Sequence, residues 1–459
     1  MYEIDFTNPS SIYFVGIGGV SMCGLAQLLA HVGCKVSGSD RSPSPLTRTL
    51  EEKGITVFYG QRYENITDDL DCVVFTSAIH PDNPEYIAAH EKNIPCLTRG
   101  ELMGQVMKQY DSPIAISGTH GKTTTTSMIS QILLEADTDP TLFIGGTLKT
   151  IQGNVRIGSS EYFVTEACEY TNSFLSFFPR IGIILNIEED HLDFFKDLDD
   201  IRASFRRFAQ LLPANGLLVI NADIPNYQEL ITGLPCQVVT FGIKQPADYR
   251  CDEISYNRMG CASFTLHSPH RTDRQINLSV PGEHNLANAL AAIVTADYLG
   301  ISDKCIQTAL LEFAGPDRRF EYKGAIGGVT IIDDYAHHPT EIRSCLEAAG
   351  GIEHKTLWCV FQSHTYTRTK SFLKEFAQAL ALADHVVLAD IFAARETNTC
   401  GISSEDLQKE ILKLGKKCDY FPSFDEIENF LLENCTKDDL LITMGAGDVH
   451  KIGENLLGI

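Results

Sequence analysis

A chain of 459 residues is long enough for about three domains, each with a sizeable core. An apolar fraction of 44% and a charged fraction of 21% exclude bulk disorder. The net charge of −23 excludes a nucleic-acid-binding surface, which needs a basic footprint, and reads as ordinary solubility.

The N-terminal Met1-Tyr2-Glu3-Ile4-Asp5 lacks the basic and apolar regions of a signal peptide, and no apolar run can span a bilayer. The expectation is a cytoplasmic protein without membrane insertion. Its 14 cysteines form no C-x-x-C pair, and several sit in apolar runs, as buried thiols of a reducing compartment do. The first predicted strand, Ile12 to Val15, leads into a glycine loop over 16–24 and a helix from Leu25 to His31. A second strand, Cys34 to Gly38, runs on to Ser39 and Asp40, and Asp71 to Ala78 reads as a strand entering a loop. Gly16-x-Gly18-x-x-Ser21 falls one glycine short of the dinucleotide fingerprint, and Asp40 stands near where an acid meets a ribose. On the residues alone, a hydride cofactor, a nucleotide-linked substrate and a structural turn all stay open. Hydrophobicity falls over Gly104 to Ser112, which sets a domain boundary at 108/109.

The most informative stretch follows. After the strand-like Pro113 to Ile116 comes Ser117-Gly118-Thr119-His120-Gly121-Lys122-Thr123-Thr124, and a helix runs over Ser127 to Leu134. A glycine-bearing turn between strand and helix exposes backbone N–H groups at the positive end of a helix dipole, which suits a polyphosphate. Lys122 adds a point charge, and the Thr123 hydroxyl can ligand the accompanying magnesium. Ile116 replaces the first glycine of the common phosphate-loop pattern, and the bland alternative is a tight turn with a solvated lysine. The reading taken is an ATP or GTP site.

Glu166 is predicted at the end of a strand, where ligand-binding residues of α/β sheets gather, and Ile181 to Ile187 forms another strand ahead of His191. Together they could hold a second Mg²⁺ beside the one at Thr123, so that two hard cations neutralise a phosphoryl group. Glu169, Glu188, Glu189 and Asp193 read as solvated acids. Turn residues at Ala314 to Asp317 follow a helix over Lys304 to Phe313 and set a second boundary at 314/315. Three more strands are expected at Thr356 to Phe361, His385 to Ala389 and Asp439 to Met444. Strand and helix alternate throughout, the pattern of parallel α/β domains.

Gly118 to Thr124, Asn186 to Asp193, Gly282-Glu283-His284-Asn285-x-x-Asn288-Ala289, Arg318-Arg319-Phe320 and Asp333 to Glu341 together resemble the Mur ligase family. Val15 to Gly19, Ser37 to Asp40 and Gln362-x-His364-x-Tyr366-Thr367-Arg368-Thr369 narrow the resemblance to the member that adds L-alanine to UDP-N-acetylmuramate. The resemblance implies a three-domain α/β fold. A Rossmann-like UDP-sugar domain would span 1–108, a central P-loop ATPase-like domain 109–314, and a C-terminal Rossmann-like domain 315–459, binding the amino acid and closing on ATP. The sugar nucleotide would meet Gly16, Gly18, Gly19, Val20, Ser39, Asp40 and Ser77. ATP would meet Gly118, Thr119, His120, Gly121, Lys122, Thr123, Thr124, His284, Asn285, Asn288, Arg319 and Asp334. Lys122, Arg319 and His191 would be catalytic, and Thr123, Glu166 and His191 would ligand two Mg²⁺ ions. Tyr335, His364 and Arg368 would meet the amino acid.

The chain departs from the family pattern at Cys168 and Tyr170, beside the sugar, and at Thr365, where an arginine is usual. Related ligases that add later residues carry a carbamylated lysine, whereas Phe205 stands in that region and cannot form a carbamate. The alternatives are a ligase that recycles a ready-made tripeptide onto the same sugar nucleotide and an NAD-dependent oxidoreductase. A homodimer is left open.

Overall fold

The computed structural model describes residues 2–8, 10–76, 79–192, 194–269, 271–394 and 396–459. Ser77, expected at the sugar nucleotide, and Asp193 lie outside the described residues. The chain forms two compact units, one of Met1–Ile187 with Arg202–Ile220 and Asn226–Val239, the other of the remainder.

In the first unit, five parallel strands lie in the order Thr56–Tyr59, Lys35–Asp40, Ser11–Val15, Cys72–Phe75, Cys96–Thr98. Tyr13, Val15, Val73, Phe75 and Ala88 share a core against one face of this sheet. The helix after the glycine loop runs Val20–His31, starting earlier than Leu25, because Ser21 occupies its first turn and not the loop. A second run of strands follows the order Leu217–Asn221, Ile181–Ile184, Ser112–Ser117, Tyr162–Glu166, Thr141–Leu148, Gly153–Arg156. All these pairs are parallel except the last. The predicted strand to Ile187 stops at Ile184, where the backbone leaves the ladder.

The helix Arg99–Met107 seats itself on the segment Tyr170–Ser176 through two glycines. A Cβ on Gly100 would lie 2.9 Å from the Ser173 carbonyl oxygen, and one on Gly104 would lie 1.9 Å from that of Ser176.

In the second unit the strands Tyr249–Tyr256, Cys261–His267 and Arg274–Pro281 form an antiparallel meander, which the expectation of parallel domains did not include. Burial alternates residue by residue along Arg274–Pro281, so one face packs on the helix Asp303–Glu312. Buried Arg274 binds Asp297 at 2.5 Å and Asp303 at 2.8 Å, tying that strand to the helices His284–Tyr298 and Asp303–Glu312.

The last sheet follows the order Glu321–Ile326, Val329–Asp334, Leu440–Met444, Leu357–Phe361, His385–Leu388, Lys417–Tyr420, parallel except at its first pair. Neighbouring residues feed opposite cores: Ile332, Phe361 and Ile442 pack with Phe376 on one face, Ile331, Val360 and Leu441 with Ile427 on the other. Both faces being covered explains the continuous apolar runs of these strands. All 14 cysteines are free, and most are buried. Among the described residues no helix is long and apolar enough to cross a membrane.

Replacing Gly104 by Ala should destabilise the protein by about 2 kcal/mol, because a rigid carbonyl occupies the methyl's space and overrides the better helix propensity of alanine. Urea unfolding measures this. A variant as stable as the parent would mean that the helix is not seated on Tyr170–Ser176.

Candidate functional site

The loop after strand Ser112–Ser117 is built for close approach. Gly118 and Gly121 have positive φ, and a Cβ on Gly118 would fall 2.9 Å from the Leu185 Cβ. Asn186 pins the loop: its carbonyl accepts from the Thr119 N–H, its Oδ1 accepts from the His120 N–H at 2.7 Å, and its Nδ2 donates to the His120 carbonyl. The helix Lys122–Glu135 starts at Gly121 with no side-chain cap, so the N–H groups of Lys122, Thr123 and Thr124 stand at an uncapped positive end. Such a cradle fits a polyphosphate.

Lys122 Nζ donates to the carbonyls of Gly118 and Thr119 and to Glu169, whose Oε2 lies at 3.1 Å. Burial pushes the Lys122 pKa down, but the Glu169 charge outweighs it and the net displacement is upward, so the lysine is held as a cation. Glu169 is buried, with its side chain 3% exposed. Reading it as a solvated acid was therefore a misplacement: only the turn after Glu166 folds it back onto the lysine. Glu166 ends its strand as expected, and its Oε1 accepts the Gly145 N–H at 2.6 Å. A Cβ on Gly145 would stand 2.6 Å from that oxygen, so glycine is what admits the carboxylate there. The Glu166 carboxylate and the Thr123 hydroxyl are hard oxygen donors of the kind that suits Mg²⁺ chemically.

At the rim of the first sheet, Gly16 turns with positive φ and the Gly18 N–H donates to Asp40 Oδ2 at 2.8 Å. Asp40 thus holds the glycine loop in shape. Gly19 precedes the helix that opens at Val20. The Ser39 hydroxyl donates to Glu85 at 2.5 Å, and this wholly buried carboxylate also takes the Tyr13 hydroxyl and the Asn65 amide.

The second unit carries a cavity of about 630 Å³ lined by Asp190, His191, His337, His364, Arg368 and Glu396. It brings together the predicted residues His191, His364 and Arg368. Asp190, His337 and Glu396 were not singled out as site residues. Asp190 was legible only as a neighbour of His191, and its binding to Arg368 Nη2 at 3.0 Å joins residues far apart in the chain. Burial alone would raise the Asp190 pKa, but Arg368, His191 and His338 outweigh it and hold the carboxyl well below the usual range. His337 is pushed down to about 4, chiefly by burial, with Glu341 opposing and Arg368 reinforcing the change. Its imidazole is therefore neutral at pH 7. Thr365, where the family pattern has arginine, starts the helix Tyr366–Ser371 with φ +68, unusual for a β-branched residue.

Arg319 and Arg318 both lie over the Tyr335 ring, at 5.3 and 5.0 Å, and Arg319 approaches Glu341 at 3.8 Å. Asp334 accepts the N–H groups of Phe320 and Ala336, and burial raises its pKa to about 6. His284, Asn285 and Asn288 open their helix, where Asn285 donates to the Pro281 carbonyl at 2.7 Å and Asn288 donates to Asn285.

Comparison with known proteins finds three domain families along the chain: Mur ligase family, catalytic domain, over residues 11–111; Mur ligase middle domain over 116–296; and Mur ligase, glutamate ligase domain, over 318–447. A UDP-N-acetylmuramate–L-alanine ligase of Agathobacter rectalis is 57% identical, with all of both chains covered. One of Clostridium botulinum is 47% identical over the same extent. The crystal structure of UDP-N-acetylmuramate-alanine ligase from Thermotoga maritima matches 98% of each chain at 30% identity and a TM-score of 0.83. A murein peptide ligase from Psychrobacter arcticus also matches 98% of each chain, at 26% identity and a TM-score of 0.73.

Two measurements probe this geometry. Glu169→Gln leaves the half-buried lysine without its counter-charge and should lower stability by about 2 kcal/mol in chemical unfolding; no loss would mean that the loop carbonyls alone hold Lys122. For His337 the folded pKa lies below the unfolded one, so its contribution is complete above the unfolded value and is lost as pH falls towards about 4. His337→Gln should flatten the pH dependence of stability between about 6.5 and 4. An unchanged slope there would show that the imidazole is not desolvated.

Proposed function

The chain belongs to the Mur ligase family, and we propose that its residues divide the work of joining L-alanine to UDP-N-acetylmuramate at the expense of ATP. The products are UDP-N-acetylmuramoyl-L-alanine, ADP and phosphate, a step of peptidoglycan precursor synthesis in the cytoplasm. The observation that carries this reading is the end-to-end likeness to ligases bearing that name.

Residues 1–108 hold the sugar nucleotide, with the loop of Gly16, Gly18, Gly19 and Val20 and the strand end at Ser39 and Asp40 facing it. Residues 109–314 bind ATP, its phosphates on Gly118 to Thr124 and its adenine near His284, Asn285 and Asn288. Residues 315–459 supply Arg319, Asp334 for the ribose, and the amino-acid contacts Tyr335, His364 and Arg368.

A carboxylate is a poor electrophile, so it is activated first: the muramate oxygen attacks the γ-phosphorus, and an acyl phosphate forms as ADP leaves. Lys122 and Arg319 stabilise the charge that spreads over the transferring oxygens. The amine of L-alanine then attacks the acyl carbon, and phosphate leaves as the amide forms. Thr123, Glu166 and His191 would hold magnesium, which when bound would neutralise charge on the phosphoryl oxygens. Arg368 suits the alanine carboxylate through paired N–H donors, and its bond to Asp190 fixes its plane in advance. Neutral His337 in the same cavity adds no positive charge to repel the incoming ammonium group.

ADP release should require UDP-N-acetylmuramate, ATP and L-alanine together. Lys122→Ala should lower turnover about a hundredfold or more and, by leaving buried Glu169 without its counter-charge, should lower stability as well without unfolding the protein. Release driven by a tripeptide and not by L-alanine would assign the chain to the recycling reaction instead.

A further inference from the structure

One charged side chain of the first unit has no place in the scheme above. Across the first sheet, Ser39 pairs with Val15, Val15 with Phe75, and Phe75 with Thr98, so these four residues form one row. The next residue of each strand stands at the carboxyl rim: Asp40, Gly16, Thr76 and Arg99. Arg99 therefore shares its edge with the glycine loop and Asp40. It is also the first residue of the helix that Gly100 and Gly104 seat on Tyr170–Ser176. That segment is locked to the Glu166 strand end, because the Cys168 carbonyl accepts from the Ser173 hydroxyl at 2.9 Å and from the Phe174 N–H.

The Arg99 side chain is half-buried, and burial pulls its pKa down against the opposing influence of Glu166. Among the described residues it makes no hydrogen bond or ion pair. Glu166 spends Oε1 on Gly145, and Glu169 is committed to Lys122. A guanidinium carries five donors in a planar fork and cannot shed its proton, so leaving it half-buried and unbonded carries a cost. The cost is recovered when a planar anion docks on the fork.

We infer that Arg99 binds the carboxylate of the muramate substrate, the group that receives the phosphoryl. This rests on the proposed function. The position favours the carboxylate because Arg99 stands both on the rim assigned to the sugar nucleotide and beside the strand end that carries Glu166. A carboxylate brought near Glu166 and a triphosphate needs a fixed cation, and a bidentate arginine also sets the plane from which its oxygen attacks.

The test compares three ligands by calorimetry on the full chain: UDP-N-acetylmuramate, UDP-N-acetylglucosamine, which lacks the lactyl carboxylate, and UDP. For Arg99→Gln, UDP-N-acetylmuramate should bind about thirtyfold more weakly, as expected for a lost charge-assisted pair. UDP, UDP-N-acetylglucosamine and ATP should bind within about twofold of the parent, an interval too small for a lost charged contact. Arg99→Lys keeps the charge without the fork and should recover part of the loss. Equal weakening of all three uridine nucleotides would place Arg99 on the diphosphate or on the scaffold and overturn the inference. Unchanged binding of UDP-N-acetylmuramate in both variants would overturn it as well. If the unaltered protein binds UDP-N-acetylmuramate no better than UDP, the functional reading itself fails, and this inference with it.

Discussion

A lysine held as a cation by the groups that converge on it is the constraint around which the first unit is organised. Lys122 reaches that state because two loop carbonyls and Glu169 converge on its ammonium group. The carbonyls converge because Gly118 and Gly121 take backbone conformations that a side chain would resist. Glu169 arrives because the chain leaves its strand after Glu166, and the segment beyond it turns at Thr171 and Asn172, both at positive φ. A charge prepared in this way is oriented in advance and less screened than one in open water. Asn186, at the far side of the loop, fixes the register of the same turn.

The second unit solves a different problem, a crowd of ionisable groups around one cavity. Asp190 is kept charged and His337 is kept neutral, although both are buried, because their neighbours differ. Asp190 has Arg368 in direct contact, whereas His337 faces Arg368 on one side and Glu341 on the other. Two groups whose pKa values are both depressed, one ending charged and the other neutral, thus share one wall of the cavity. The sheet behind them is buried on both faces, which gives these side chains a rigid floor.

The motifs were legible because each is a short contiguous string with a local job. Gly118 to Thr124 makes its own turn, and Val15 to Gly19 makes another, so strand, loop and helix could be placed without tertiary information. The family could be named from their order along the chain, an order that the domain families at 11–111, 116–296 and 318–447 follow. Boundaries were less legible. The helix after the first glycine loop begins at Val20 because Ser21 serves as helix and not as loop. In the antiparallel meander from Tyr249 to Pro281 only Arg274–Pro281 keeps a clean alternation, while register shifts at Asp252/Ser255 and at Cys261/Ser263 interrupt the pairing of the two strands before it.

What the sequence by itself determined, then, is what depends on nearest neighbours: the turns, the alternation of strand and helix, the buried thiols and the identity of the family. Tertiary structure alone decided which charges meet. Glu169 looked like one more surface acid until the fold placed it on Lys122, and Arg99 looked like an ordinary first residue of a helix. Asp190 and Arg368, remote in the chain, become partners only inside one cavity. Electrostatic energy depends on distance and dielectric, and a linear string specifies neither of them for residues far apart.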